Sequence, residues 1–183
     1  MTDEIIRHCA PTLAGMKTGS MVSCKANEVD AWLAQSTPAL NVAGLRIALL
    51  RRCERRALLY IYRPNLLASD FSDEGVARHL LGLGYNISNL DDCVSHLASR
   101  FQGSCECPHE VGLFLGYPLE DVLGFIEHGG AQYKCNGHWK VYGDEVCAKR
   151  LFRQFRECTR SWLMSYQCGA SLEQLIAADM KIT

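Results

Sequence analysis

Two neighbouring apolar segments, residues 45–52 and 57–63, constrain the fold more than any other feature of this sequence. Both have the composition of β-strands, and only Cys53-Glu54-Arg55-Arg56 joins them. Because so short a connection suits antiparallel strands, the pair predicts a β-hairpin. Pro64 ends the second strand, since proline cannot donate a hydrogen bond to a sheet.

Helix signals and further short strands surround this hairpin without a strict βαβ alternation. Helices are predicted over residues 27–35, 69–83, 88–101, 118–128 and 144–167, and from Ser171, which forms a capping box with Gln174. Short strands are predicted near 21–24 and 111–115 and in a hairpin over 133–142 around Asn136-Gly137. Residues 8–20 are interpreted as a structured loop or a short broken helix. The sequence therefore predicts an α+β fold: a single domain over residues 1–183, with a small mixed or antiparallel sheet of about four to five strands packed by about six helices.

Length and composition exclude several classes of protein. A chain of 183 residues corresponds to one domain, and 48% hydrophobic with 21% charged residues is typical of a globular protein rather than a disordered one. The net charge of −1 disfavours a nucleic-acid binder. No apolar run approaches the roughly 18–20 residues of a membrane helix, so no membrane partner is expected.

The ten cysteines bear on the cellular compartment. A chain of this length needs no disulfide framework, and its acidic start lacks the apolar stretch of an export signal. We therefore expect a cytoplasmic protein with reduced thiols. Cys93, Cys147 and Cys158 fall on helix positions where a small core residue is expected.

The first candidate site is Pro108-His109-Glu110, which is followed by Gly112, Gly116 and Tyr117. Adjacent imidazole and carboxylate groups at the mouth of a strand suit acid–base chemistry. The alternative is that His109 caps a loop and that the glycines make bends.

The second candidate is the segment 8–20, which contains His8, Cys9, Lys17 and Thr18. A lysine, hydroxyls and loop amides suit an anionic or phosphorylated ligand, and a cysteine beside a histidine suits a nucleophile. The segment lacks the order of a Walker A motif. The alternative is a packed N-terminal loop.

Two further groups of residues are weaker candidates. The soft ligands Cys105, Cys107, His109, Cys135 and His138 could hold zinc, iron, an iron–sulfur centre or haem, but their spacing is poor for a structural zinc site, and no metal ligand is assigned. One helix face carries basic residues that could contact an acidic protein partner or could simply be solvated: Lys149, Arg153, Arg156 and Arg160.

Several motifs resemble those of an uncharacterised family, a domain of unknown function from anaerobic bacteria. They are HCAPTLAGMK at 8–17, LYIYRP at 59–64, PHEVGLFLGYPLEDVLGFI at 108–126 and WKVY at 139–142. The resemblance spans about residues 5–160 and implies no established activity, although it implies a link to iron or low-potential redox metabolism. It favours a site built from His8, Cys9, Lys17, His109 and Glu110 over the soft-ligand group.

These observations favour a protein that binds, and could transform, a small anionic metabolite or cofactor of unknown identity. The predicted catalytic residues are His109, Glu110, Cys9 and His8. The predicted binding residues are Lys17, Thr18, Tyr117, Trp139, Lys140 and Tyr142. Two alternatives stay open at this point: a metal- or haem-handling protein of iron homeostasis, and a regulatory module that uses the arginine-rich surface.

Overall fold

The computed structural model describes residues 1–103 and 107–179. Its strands are β1 (Gly19–Lys25), β2 (Arg46–Arg52), β3 (Arg56–Tyr62), β4 (Cys135–Asn136) and β5 (Lys140–Val141). Its helices are α1 (Thr2–Leu13), α2 (Val29–Val42), α3 (Pro64–Phe71), α4 (Glu74–Gly82), α5 (Leu90–Gly103), α6 (Val111–Phe114), α7 (Leu119–His128), α8 (Glu145–Gln167) and α9 (Leu172–Asp179). The predicted α+β class is confirmed, with the strands divided between two small antiparallel sheets.

The larger sheet has the order β1-β3-β2, and both pairings are antiparallel. The predicted hairpin of β2 and β3 is confirmed, with Leu49 opposite Leu59 and a bulge directly after Leu49. The central strand β3 is apolar on both sides. Because side chains alternate along a strand, Leu59 and Tyr60 contact two different cores.

Helices cover both faces of this sheet. One core lies between the sheet and α1, α2, α8 and α9, and includes Ile5, Cys9 and Trp162. The other core lies between the sheet and α3 to α7, and includes Phe71 and Phe114. The sheet is therefore the middle layer of three, which explains why β3 reads as a continuous apolar run.

The small sheet of β4 and β5 forms a third cluster against α8. Trp139 and Val141 pack there on Phe152 and Phe155. The hairpin predicted over 133–142 is present, but the predicted tight turn at Asn136-Gly137 is wrong. Asn136 still pairs with Lys140, so the loop is residues 137–139.

Four other local predictions are corrected by the structure. Residues 2–13 form one amphipathic helix despite Pro11, because packing of its apolar face outweighs the lost hydrogen bond. Residues 111–115 contain a short helix rather than a strand, an ambiguity inherent to short apolar runs. The helix predicted over 69–83 is two helices, since Asp73 caps a new one through Val76 N. The helix predicted over 27–35 continues to Val42.

The capping predictions at the end of the chain agree with the structure. The Asp144 side chain accepts a hydrogen bond from Cys147 N at the start of α8. Ser171 and Gln174 form the reciprocal capping box before α9. Within residues 1–103 and 107–179, no helix combines the length and apolar character needed to cross a membrane.

Candidate functional site

A cleft of about 360 Å³ opens between α7 and the hairpin of β4 and β5. The segment 107–112 closes one end of it. Its lining residues come from these three parts of the chain and from the turn before α7: Cys107, Pro108, His109, Val111, Gly112, Tyr117, Asp121, Val122, Phe125, Asn136, Gly137, His138, Trp139 and Lys140.

The walls of the cleft are aromatic. The Tyr117 ring stacks on Trp139, with ring centroids 4.7 Å apart and planes 26° apart. Trp139 in turn packs edge-on against Phe152 of α8, at 4.5 Å. The Tyr117 hydroxyl donates a hydrogen bond of 3.2 Å to the His138 carbonyl oxygen. These contacts fix the orientation of two aromatic rings that face the cleft.

Asp121 holds the hairpin against α7. Its buried carboxylate accepts hydrogen bonds from Trp139 Nε1 at 2.7 Å, Tyr142 N at 2.6 Å and Gly143 N at 2.8 Å. Three donors engage its oxygens, so the carboxylate presents little free acceptor capacity to a ligand. The sequence does not indicate this role of Asp121, because an acidic residue in the first turn of a helix is explained equally well by the helix dipole.

His109, Lys140 and Tyr142 lie around this site in different ways. His109 is exposed on the rim, with its ring 5.2 Å from that of Phe125. Lys140 Nζ donates to the Gly130 carbonyl at 2.5 Å and lies 5.6 Å from the Phe125 ring centroid. Tyr142 is not among the lining residues, and its hydroxyl donates to the Ala131 carbonyl instead.

The Glu110 carboxylate has partners other than His109. Its carboxylate is buried, forms an ion pair with Arg100 and accepts a hydrogen bond of 2.9 Å from the Tyr85 hydroxyl. Burial first, and then this carboxylate, raise the pKa of Tyr85. Glu110 thus anchors the start of α6 to α5, and its carboxylate is bonded to Arg100 and Tyr85 rather than paired with His109.

The segment after α1 meets the turn after α6. Lys17 is partly buried, and its Nζ lies 5.1 Å from the Tyr117 ring centroid. Burial lowers the pKa of Lys17 to about 8. Thr18 donates a hydrogen bond of 2.5 Å to Asp70, and its side chain also lies directly against Gly116, whose φ is +73°. Of the two predicted binding residues here, Lys17 contacts a wall of the cleft and Thr18 is a packing residue.

His8 and Cys9 lie outside the cleft, on α1. Cys9 is fully buried against the sheet, and burial raises the pKa of its thiol to about 12. A thiol with such a pKa is protonated at neutral pH and is a poor nucleophile. His8, the next residue along the helix, is on its exposed face. Of the four predicted catalytic residues, His109 alone lines the cleft.

The soft-ligand residues are spread over the same region. Cys107 and His138 line the cleft, Cys135 begins β4, and Cys105 lies outside the described residues. Across the two described ranges, no group of three or more histidine, cysteine or acidic residues is arranged to hold a metal ion.

The basic face predicted on α8 is exposed. Lys149 pairs with Glu145 at 2.6 Å, one turn earlier. Burial lowers the pKa of His138 in the hairpin loop, and the positive charges of Lys17 and Arg156 lower it further. Arg156 is therefore near enough to this loop for its charge to act on His138. The charge of Arg156 on this face thus acts on a residue of the cleft lining.

Comparison with known proteins identifies a family whose members have no assigned function. The model of a family of proteins of unknown function, DUF3793, matches residues 5–176. No curated protein and no solved structure matches the chain. Because the match covers nearly the whole sequence, the chain belongs to the DUF3793 family.

Proposed function

We propose that the protein binds a small ligand with a flat apolar body and an anionic group in the cleft between α7 and the β4–β5 hairpin. One observation carries the proposal. Aromatic rings from Tyr117, Phe125 and Trp139 line a cleft whose rim bears imidazole and amine groups, while its carboxylate is already hydrogen-bonded.

The size and lining of the cleft support the flat apolar body. Its volume of about 360 Å³ is within the range of about 300–1,000 Å³ that is usual for small-molecule sites. Val111 and Val122 line it together with the aromatic rings. A planar ring system can contact these rings and exclude water from them, and burial of apolar surface then favours binding.

The charges around the cleft support the anionic group. Lys140, His109 and His138 lie on its rim. Asp121 is the acidic residue of the lining, and its oxygens are engaged by three N–H donors. A ligand carboxylate or phosphate would therefore meet hydrogen-bond donors and little free negative charge.

The proposal assumes a cytoplasmic protein. No disulfide joins cysteines in the described part of the chain, and three of these cysteines, Cys53, Cys107 and Cys168, are exposed. Exposed free thiols persist in a reducing compartment. The link to iron or low-potential redox metabolism stays a prediction, because the cleft bears only on the shape and charge of the ligand.

The experiment uses the three tryptophans as internal reporters. Trp139 is in the wall of the cleft, whereas Trp32 and Trp162 belong to the core on the α1 side of the sheet. In ¹⁹F NMR of protein labelled with 5-fluorotryptophan, 2-naphthoate should shift the Trp139 signal saturably and leave the other two unchanged. The neutral 2-naphthalenemethanol should bind more weakly, and acetate should cause no saturable shift.

A substitution in the aromatic wall of the cleft, compared with a matched control, also tests whether the ligand binds there. Phe125→Ala should weaken 2-naphthoate binding roughly tenfold, since it removes one aromatic face. Leu123→Ala alters the same helix at an exposed side chain outside the lining and should leave binding unchanged. Equal shifts of all three tryptophan signals, or no shift with any naphthyl compound, would overturn the proposal.

A further inference from the structure

Three basic residues from three different parts of the fold are connected to the cleft: His138 lines it, Lys17 lies over the ring of its lining residue Tyr117, and the charge of Arg156 acts on His138. Lys17 belongs to the segment between α1 and β1, His138 to the loop of the β4–β5 hairpin, and Arg156 to α8. We call these three residues the basic triplet. They are far apart in sequence, so only the tertiary structure brings them into one neighbourhood.

Contacts through Tyr117 and Phe155 connect the members of the basic triplet. Lys17 Nζ lies over the Tyr117 ring, and the Tyr117 hydroxyl bonds the His138 carbonyl. The His138 ring packs edge-on against Phe155, the neighbour of Arg156, at 5.2 Å. The charges of Lys17 and Arg156 both act on the His138 imidazole and disfavour its protonation.

In the part of the chain that the structure describes, no acidic group forms an ion pair with a member of the basic triplet. Other basic residues have such partners: Lys25 pairs with Glu28, Arg52 with Asp30 and Lys149 with Glu145. Neither Lys17 nor Arg156 has an ion pair with a described carboxylate. Lys17 is also partly buried, where an unpaired ammonium group is unfavourable. An external anion would compensate these charges.

We propose that Lys17, His138 and Arg156 form a phosphate-binding subsite, so that the ligand of the cleft is a phosphorylated compound with a flat apolar body. His138 belongs to both the subsite and the lining of the cleft, and Tyr117 of the lining contacts Lys17, so the proposal has one molecule reach from the cleft to the subsite. The description of the apolar body rests on the function proposed above, whereas the subsite itself does not.

The chemistry of the basic triplet fits a phosphate better than a single carboxylate. A phosphate monoester offers three terminal oxygens and nearly two negative charges at neutral pH. An ammonium group, a guanidinium group and an imidazole from three elements can each donate to a different oxygen. The residues bind the anion without forming or breaking a covalent bond.

The test compares three probes on the intact protein by isothermal titration calorimetry and ¹⁹F NMR of Trp139. The probes are 2-naphthyl phosphate, 2-naphthol and inorganic phosphate. We expect 2-naphthyl phosphate to bind most tightly and to shift the Trp139 signal. Inorganic phosphate should bind measurably by calorimetry, and 2-naphthol should bind more weakly than its phosphate ester.

Variants of the basic triplet decide the role of its charges. Lys17→Met keeps an apolar stem over Tyr117, and Arg156→Gln keeps a polar side chain on α8. Each should weaken 2-naphthyl phosphate binding roughly tenfold, the usual effect of losing one charged donor, and should leave 2-naphthol binding unchanged. The matched controls are Lys25→Met, at the other end of β1, and Arg160→Gln, one turn along α8; neither should alter phosphate binding.

The outcomes separate this inference from the proposed function. If 2-naphthyl phosphate binds at Trp139 but both triplet variants bind it as well as the wild type, the phosphate subsite is wrong and the cleft stands. If the variants abolish binding of inorganic phosphate but the naphthyl group adds no affinity, the subsite stands and the ligand-binding cleft is wrong. If the control variants weaken binding as much as the triplet variants, the effect is general electrostatic attraction and the subsite is wrong.

Discussion

At the scale of single residues, burial decides which polar side chains can act on a ligand. Glu110 and His109 are neighbours in sequence, yet the Glu110 side chain is buried and His109 is exposed. Glu110 is held by Arg100 and Tyr85. Its role is to anchor the segment that carries His109 to the rim of the cleft.

Replacing Glu110 should therefore lower the free energy of unfolding of the protein. In Glu110→Gln the charge that compensates Arg100 is lost, although an amide oxygen still accepts from Tyr85. Removing one partner of a largely buried ion pair should lower the free energy of unfolding by about 2–3 kcal/mol, measured by urea denaturation. Arg100 is itself 40% exposed, which keeps the loss below that of a fully buried pair.

The matched control makes the same chemical change at the surface. Glu74 forms its ion pair with Arg78 while 89% exposed, and exposed pairs contribute little. Glu74→Gln should leave the free energy of unfolding unchanged within error. An equal loss in both variants would contradict the anchoring role of Glu110.

At the scale of elements, the β4–β5 hairpin depends on contacts with its neighbours. Its two strands have only two residues each, and so short a hairpin is not stable by itself. It is held by Asp121 of α7 from one side and by Phe152 and Phe155 of α8 from the other. Gly137 is required in its loop, because a Cβ there would overlap the Phe152 ring.

Removing the Asp121 charge should loosen the hairpin. In Asp121→Asn, an amide group faces the three N–H donors from Trp139, Tyr142 and Gly143, and at least one donor is left without an acceptor. Hydrogen exchange of residues 135–143 should accelerate roughly tenfold, and Trp139 fluorescence should change. In Asp144→Asn, the control, asparagine is an equally good helix cap, so exchange in the hairpin should be unaffected; acceleration in both variants would argue against the specific role of Asp121.

At the scale of the whole molecule, partly buried and buried ionisable groups make global stability depend on pH. The pKa of Lys17 is lowered by burial to about 8, against an ordinary value of 10.5. Between these two values the unfolded chain binds more protons than the folded protein, so Lys17 makes stability rise with pH. Cys9, whose pKa is raised to about 12 from 9.0, acts in the opposite direction above about pH 9.

The contribution of Lys17 to this pH dependence is isolated by comparing the unfolding free energies of the wild type and Lys17→Met at pH 7 and at pH 9. Relative to Lys17→Met, the wild type should gain about 1 kcal/mol of unfolding free energy over this interval, since about one proton is linked to unfolding at its upper end. The variant Lys25→Met should parallel the wild type. A pH-independent difference between the wild type and Lys17→Met would show that Lys17 titrates near its ordinary pKa.

Much of the fold could be predicted because its signals are local. The strand pair around residues 53–56 and the caps at Asp144 and Ser171 depend on neighbours in sequence, and the structure has all three. The errors arose where long-range packing outweighed local preference. Pro11 is accommodated in α1 because that helix buries a continuous apolar face on the sheet, and residues 111–114 are helical although their composition suits a strand.

The candidate site was predictable only in part for the same reason. Motifs drew attention to His109, Tyr117, Trp139 and Lys140, which line one cleft. They could not show that Glu110 is engaged by Arg100 and Tyr85, because these partners are distant in sequence. They also could not show that Cys9 is buried, since that requires the position of α1 on the sheet.

The sequence by itself determined the α+β class, the antiparallel hairpin of β2 and β3 and the capped helix that supports the second hairpin. These follow from periodicity, turn residues and caps, which act over a few residues. Only the tertiary structure decided that Asp121 holds the wall of a cleft and that the charges of Lys17 and Arg156 act on His138. Burial, charge compensation and ring stacking depend on residues distant in the chain, and no local pattern encodes their distances.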